Sequence, residues 1–176
     1  RQVQITVAPR DMYRYGYLLE LDRQTALLLK ASTVGRGNKV LERFQYADVA
    51  YTNGGDSDPA VDIVHRAAHS QPGAFSAAGI GVPWGLRWLP AGFLVTEETG
   101  TDSARRTYTD GLAVFSVFLE RLAATMPSGE GVVRQGSTTS YTRGIQLEGQ
   151  PMLVTVIGEV PVNTARMLAD SVRRVR

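Results

Sequence analysis

Residues 112–119 constrain the fold more than any other segment, because they are apolar on both faces of any strand they form. Alternate side chains of a strand point to opposite faces. One face would carry Leu112, Val114 and Phe118, and the other Ala113, Phe115, Val117 and Leu119. Antiparallel sheets usually leave one face to solvent. Both faces of this strand therefore need a cover, either from the fold or from something that docks on it.

Short strand patterns surround this segment, and one helix pattern follows them. The predicted strands span residues 92–98, 105–109, 112–121, 132–135, 137–143 and 152–157. The helix has Pro161 in its first turn and an apolar stripe of Ala165, Leu168, Val172 and Val175. An antiparallel sheet beneath one helix predicts an α+β domain. The second apolar face of 112–119 would then be covered by the first domain, a second chain, a hydrophobic ligand or the domain's own loops.

Residues 1–51 carry a different pattern, that of four antiparallel strands joined by short turns. The predicted strands are 3–7, 14–22, 26–34 and 40–49, with turn residues at 22–25 and 35–38. A strand pattern instead of a signal-peptide pattern at the start predicts that the chain begins within a fold, with any export signal upstream.

Residues 52–83 are rich in Gly, Pro, Asp and Ser and predict an interdomain linker with one short helix at 60–69. The expected division is therefore 1–51, 52–83 and 84–176. On that helix, Asp62, His65 and His69 fall on one face, as ligands of a metal site would. Arg66 occupies the position where the zincin pattern has its catalytic Glu, and its charge would repel a bound cation. We predict a solvated helix face and no metal.

Composition excludes several classes of function. The chain has no cysteine, which rules out disulfide scaffolds, thiolate zinc sites and cysteine nucleophiles. Its formal charge of +2 is too small for an electrostatic nucleic-acid binder. There is no Gly-x-Ser-x-Gly elbow, no Walker loop and no dinucleotide-binding loop between strand and helix. The sequence predicts a binding protein that is not an enzyme and needs no cofactor.

Three segments in the second half resemble the C-terminal domain of RseB/MucB regulators. They are residues 88–93, residues 108–112 running into 115–117, and residues 155–161 followed by Thr164 and Ala165. Upstream, residues 14–17 with Asp22, 27–30 and 42–45 are similar to the last strands of that family's N-terminal domain. The resemblance covers nearly the whole chain, is weakest at 53–80, and is to the MucB branch, which is associated with alginate regulation.

The resemblance implies a fold and a function. In that family a large half-open β-barrel, like the lipoprotein carriers of the bacterial envelope, is followed by a linker and a small domain. The resemblance implies a periplasmic protein that binds the periplasmic domain of a membrane-anchored anti-sigma factor and protects it from regulated proteolysis. It thereby implies a negative regulator of an envelope-stress sigma factor that a lipid-type signal releases. This sequence departs from the pattern by lacking the front of the large domain.

Partner-binding residues follow from the resemblance and from residue chemistry. Arg134 and Arg143 flank the predicted hairpin 135–142 and match basic positions of the family. They are predicted to lie at the margin of the second apolar face and to clamp acidic side chains of the partner; solvated strand-end charges are the alternative. Trp84, Trp88 and Phe93 could line a groove for an apolar helix, although a role as core aromatics is favoured for them. Phe115 is also predicted to bind the partner. Lipid or lipopolysaccharide could bind through the large domain, and a homo-oligomer is left open.

A lipid or lipoprotein carrier is the alternative function. A carrier predicts a deep apolar cavity, whereas a regulator that binds a polypeptide predicts a shallow groove spanning both domains.

Overall fold

The computed structural model describes residues 1–50, 80–97, 104–123 and 129–175. Within these ranges the chain forms twelve strands and one α-helix. In chain order they are β1 (Gln2–Val7), β2 (Gly16–Asp22), β3 (Leu28–Val34), β4 (Val40–Gln45), β5 (Trp84–Leu86), β6 (Leu94–Glu97), β7 (Arg105–Thr109), β8 (Val114–Arg121), β9 (Glu130–Gln135), β10 (Thr138–Leu147), β11 (Gln150–Gly158), α1 (Val162–Asp170) and β12 (Val172–Arg174). The expected linker helix at 60–69, with Asp62, His65 and His69, lies outside the described residues.

The first sheet is the expected antiparallel meander, in the order β1-β2-β3-β4. The turn between β2 and β3 is held by Asp22, whose Oδ1 accepts hydrogen bonds from the backbone N–H groups of Gln24 and Thr25, each at 2.9 Å. Strand β2 begins at Gly16, two residues later than predicted, and β4 ends at Gln45 instead of residue 49. The interval before β2 is a turn in which Asp11 accepts a hydrogen bond from the Tyr13 N–H.

The second sheet has six antiparallel strands in the order β6-β7-β8-β11-β10-β9, and all six match predicted strands. Strand β8 begins at Val114, two residues after the predicted start, because Asp110 holds the preceding loop. Its Oδ1 accepts hydrogen bonds from the N–H groups of Leu112 (3.0 Å) and Ala113 (2.9 Å). The mostly antiparallel architecture with one helix near the C-terminus agrees with the α+β prediction.

The predicted end of the helix is wrong. Helix α1 stops at Asp170, so Val172 and Val175 do not belong to its apolar stripe. Ser171 ends the helix, since both its N–H (3.1 Å) and its hydroxyl (2.8 Å) donate to the carbonyl of Leu168. The chain then leaves as β12, which pairs with β5 in a small third sheet. Neither of these three-residue strands was predicted.

The two faces of residues 112–119 differ in their exposure to solvent. Ala113, Phe115, Val117 and Leu119 are at most 1% exposed and form one core with Trp84 and the buried side of α1. On the other face Leu112 is 51% and Val114 46% exposed. This outer face also carries paired hydroxyls, Thr107 of β7 with Ser116 of β8 and Thr142 of β10 with Thr155 of β11, so it is less apolar than Leu112, Val114 and Phe118 alone suggest. None of the described helices is long and apolar enough to cross a membrane.

Candidate protein-interaction site

The turn before β2 connects the first sheet to residues 80–175. The Tyr13 ring packs edge-on against Trp88 at 5.0 Å between centroids. The Tyr13 carbonyl accepts a hydrogen bond of 3.0 Å from the hydroxyl of Thr164 in α1. Next to it, the hydroxyl of Tyr15 donates to the carbonyl of Val160 at 3.4 Å. These contacts place one end of the four-stranded sheet beside the N-terminal end of α1.

Arg14 makes the most connections at this junction. Its guanidinium bonds Asp110 at 2.6 Å and Asp11 at 3.0 Å, and it also lies 5.1 Å from the Phe93 ring centroid. Burial acts to raise the pKa of Asp11, but hydrogen bonds from Arg14 and from the Tyr13 N–H outweigh it and hold that pKa below its usual value. The Arg14 side chain is only 17% exposed, so the pairing is shielded from solvent better than an ordinary surface ion pair.

A second contact lies at the turn between β9 and β10. Glu42 of β4 accepts hydrogen bonds from the hydroxyl (2.6 Å) and the backbone N–H (3.2 Å) of Ser137. These two hydrogen bonds lower the pKa of the Glu42 carboxyl, so it is ionised at neutral pH. The first sheet is therefore held to the rest of the described chain at two separate points.

A cleft of about 360 Å³ lies between the two sheets at the Arg14 junction. One wall comes from residues 7–11 and from Arg14, Tyr15 and Tyr17, and the other from Ala91 and residues 110, 112 and 113. The Tyr17 hydroxyl is buried and has no hydrogen-bond partner among the described residues. Burial, with the negative charges of Glu159 and Asp110, raises the pKa of Tyr17 to about 12, so the hydroxyl keeps its proton and remains a donor.

Three of the predicted partner-binding aromatics are in the core. Trp84 is 0%, Phe93 4% and Phe115 1% exposed, whereas Trp88 is half-buried and meets Tyr13 at the junction. Trp84 and Phe93 are therefore core aromatics, as the alternative interpretation predicted. Only Trp88 of the four offers substantial surface to a partner in this conformation.

The two predicted arginines lie on the α1 side of the six-stranded sheet. Arg134 is opposite buried Thr139, and Arg143 is two residues beyond buried Tyr141, so both share the inward face. Arg143 forms an ion pair with Asp170 at the end of α1. Arg134 is exposed and has no ion pair with the described residues. The expectation that these arginines border the outer apolar face of 112–119 is wrong, because the register turns them to the opposite face.

Sequence reasoning missed the two residues that define the junction. Arg14 and Tyr17 entered only as part of a family-like segment, with no role of their own. The available signal was the alternation of Tyr15 and Tyr17 on one face of a strand, which predicts two aromatic side chains directed at the same neighbour. The partner of Arg14, Asp110, is 96 residues away and has no local sequence signal.

Comparison with known proteins matches both parts of the chain to one family. The model of the MucB/RseB C-terminal domain matches residues 81–173, and that of the MucB/RseB N-terminal domain matches residues 1–69. The chain belongs to the MucB/RseB family. Among curated members it is 39% identical to the sigma factor AlgU regulatory protein MucB of Pseudomonas aeruginosa, over 97% of this chain and 55% of that protein. It is 29% identical to the sigma-E factor regulatory protein RseB of Haemophilus influenzae, over 96% of this chain and 54% of that protein.

Solved MucB structures share the fold. MucB in complex with MucA(peri) aligns with a TM-score of 0.75 at 34% identity, covering 99% of this chain and 62% of that one. The Pseudomonas aeruginosa MucA/MucB complex aligns with a TM-score of 0.76 at 35% identity, covering 99% and 60%. The chain thus spans a little over half the length of the curated MucB/RseB relatives it matches. These relatives are named as regulatory proteins of sigma factors, not as enzymes.

Proposed function

We propose that this MucB/RseB family chain regulates an envelope-stress sigma factor by binding the periplasmic domain of a membrane-anchored anti-sigma factor. The similarity to MucB solved in complex with MucA(peri), over 99% of this chain, carries the proposal. Because the chain covers only 62% of that MucB, the activity of the whole protein is part of the proposal. The periplasm is the compartment where such a partner is met.

The mechanism needs binding and no catalytic group. A protease cleaves a segment that is locally extended, and a bound partner lowers the population of that state about tenfold for each 1.4 kcal/mol of binding free energy. The regulator would therefore protect the anti-sigma factor while bound, and its release would start proteolysis. A lipid-type envelope signal is the proposed trigger for release.

The proposed domain division is a large domain that ends at residue 51, a linker at 52–83 and a small domain at 84–176. The meander of β1–β4 is consistent with the last strands of a half-open barrel of the lipoprotein-carrier type. The core built around Trp84, Phe115 and Leu168 draws all its members from residues 80–172 and none from the first sheet, which supports a separately packed small domain.

Limited proteolysis tests this division. We expect the first cuts between Asn53 and Gly81, because the Gly- and Pro-rich composition there is typical of linkers. Mass spectrometry of the early fragments would identify the sites. First cuts within β8 or β11 instead would contradict the proposed boundaries.

The binding surface is proposed to include Arg134, Arg143 and Trp88, with Trp84, Phe93 and Phe115 supporting it from the core. Trp88 and Arg143 lie near the same end of α1, since the Trp88 carbonyl accepts a hydrogen bond from Ser171 and Arg143 pairs with the adjacent Asp170. Arg134 is near the other end, because its neighbour Thr139 donates to Val160, the residue before Pro161. The two arginines therefore stand at opposite ends of one helix.

Charge reversal of these arginines separates their roles. Arg134→Glu is expected to weaken binding of the cognate anti-sigma periplasmic domain by about tenfold without changing thermal stability, if the contact is partly desolvated in the complex. Arg143→Glu is expected to do the same and also to cost about 0 to 1 kcal/mol of folding free energy, through loss of its exposed pair with Asp170. Isothermal titration calorimetry and thermal melts measure the two effects.

Arg36→Glu is the matched control, because Arg36 is an exposed arginine in the turn between β3 and β4. If both test variants bind as tightly as this control, the arginine clamp is wrong. If the unaltered full-length protein binds no such domain, the regulator proposal gives way to the lipid or lipoprotein carrier.

A further inference from the structure

Strand β9 forms one edge of the six-stranded sheet, and none of the described strands pairs with its outer side. All six of its residues are exposed, and its pairing with β10 has no register shift. The edge strands β4 and β6 each carry such a shift, which interrupts their pairing. A regular, exposed edge strand without proline can pair with a strand of another chain. A further strand can therefore add to the sheet at β9.

The backbone groups of β9 that point away from β10 belong to Glu130, Val132 and Arg134. Successive residues of an antiparallel strand alternate between bonding their neighbour and facing away from it. The Gly144 N–H donates to the Gly129 carbonyl at 3.3 Å, so the odd-numbered residues of β9 bond β10 and the even-numbered ones face outward. The side chains of the three outward residues share one face of the sheet, the face on which α1 packs.

Two charges make this edge complementary to itself. Glu130 and Arg134 lie two residues to either side of Val132. When two copies pair antiparallel with Val132 opposite Val132, each Glu130 lies opposite Arg134 of the other copy, and all three outward residues exchange backbone hydrogen bonds. Pairing centred on residue 130 or 134 would instead place like charges opposite each other, which is unfavourable. Strand β1, which is also a regular edge, has no charged residue and selects no register in this way.

We propose that two copies of this protein form a homodimer by antiparallel pairing of their β9 strands about Val132, which joins their six-stranded sheets into one. This homodimer goes beyond the proposed function and does not depend on it. Arg134 is available for the pairing, since it is exposed and has no ion pair with the described residues. Glu130 bonds Nε (3.2 Å) and Nη2 (3.0 Å) of Arg166 through Oε1 alone, so that ion pair does not use its second carboxylate oxygen. The interface is small, and we expect a dissociation constant of roughly 1 to 100 µM.

Charge reversal tests the register, because a reversal in one copy can be compensated by the other. Glu130→Arg and Arg134→Glu each place like charges opposite each other at two symmetric positions, and each should weaken the homodimer by about tenfold. In an equal mixture of the two variants opposite charges meet again at both positions, so a heterodimer should form about as tightly as the unaltered homodimer. Sedimentation velocity of the full-length proteins over a concentration series measures these effects, with Arg36→Glu as the control that should change nothing.

The double variant Glu130→Arg/Arg134→Glu should recover the homodimer as well. It also separates this edge from the arginine clamp, because it restores dimerisation while leaving a negative charge at residue 134.

A proline substitution tests the backbone hydrogen bonds independently of charge. Val132→Pro removes an N–H that points away from β10, a position at which edge strands tolerate proline. We expect it to weaken the homodimer by at least about tenfold with little change in melting temperature. Val133→Pro is the contrasting variant, because its N–H bonds β10, and its melting temperature should fall.

A full-length protein that stays monomeric up to about 100 µM would overturn the homodimer. So would a dimer that Glu130→Arg, Arg134→Glu and Val132→Pro leave unchanged, since it would then use another surface. If the single variants weaken the dimer and their mixture does not recover it, the proposed pairing is wrong. A monomeric protein whose binding of the anti-sigma domain is lost in Val132→Pro would assign the edge to a strand of that domain, and the homodimer would again be refuted.

Discussion

Gly158→Ala is expected to destabilise the protein by about 3 kcal/mol or more, which corresponds to a fall in melting temperature of roughly 10 °C. Gly158 pairs with Phe115 where β11 meets β8, in the middle of the six-stranded sheet. A Cβ at this position would lie 2.4 Å from both the Cα of Phe115 and the carbonyl oxygen of Val114. Because the overlap is with backbone, no side-chain rotation relieves it, and the two strands must separate.

Thermal or urea unfolding of Gly158→Ala measures this effect, and Gly131→Ala is its control. Gly131 is also in a strand of this sheet, on the exposed edge strand β9, and nothing lies within 4 Å of a Cβ built there. We expect its stability to change by no more than about 1 kcal/mol, with a small gain from the stiffer unfolded chain. Equal stability of the two variants would mean that β8 and β11 are not packed as closely as described.

Trp84→Ala is expected to cost about 3 to 5 kcal/mol, the range for removing a buried large aromatic side chain. Trp84 is fully buried in the core that contains Phe115, Val117 and Leu168. Its ring also lies 5.3 Å from the guanidinium carbon of Arg106, a cation–π contact that the substitution removes. Because only the folded chain can bind, we expect partner binding to fall in proportion to the unfolded fraction.

Trp84→Phe separates the stability lost with side-chain volume from the stability lost with the contact between the aromatic ring and Arg106. It retains a ring for Arg106 and most of the buried surface, so we expect it to lose less than half as much stability as Trp84→Ala. Chemical denaturation followed by circular dichroism measures both. If Trp84→Ala melts within about 2 °C of the unaltered protein, then Trp84 is not a core residue, and the sequence-based placement of Trp84 in a binding groove would be favoured.

Local patterns predicted the strands well because each depends on neighbouring residues. Strand β7 was predicted with its observed ends, and alternation alone assigned the side chains of 112–119 to two faces, although it did not say which face would be buried. The helix end was not, because Val172 continues the apolar spacing past Ser171, where the backbone has already left the helix. Strand β5 was missed because three residues carry no periodicity and its strand character comes from pairing with β12.

The site was harder to predict because it depends on which face and which neighbour each side chain meets. Arg134 and Arg143 were identified as arginines at hairpin ends, but only the register with buried Thr139 and Tyr141 shows that they face α1. Trp84 and Phe93 are chemically suited to a core or to a groove, and burial is what distinguishes the two. Arg14 required tertiary contacts across the whole chain to be recognised.

The pairing of β5 with β12 has a mechanical consequence. Pro83 and Val175 are neighbours, since the Val175 N–H donates to the Pro83 carbonyl at 3.1 Å, and they lie at the same end of the ladder that joins Trp84 to Arg174. Tension applied between residues 83 and 175 would thus load these hydrogen bonds one after another, as in unzipping, instead of all together in shear. Opening the ladder from this end would also draw Trp84 out of the core, so the first step of unzipping removes a buried aromatic side chain as well as backbone hydrogen bonds.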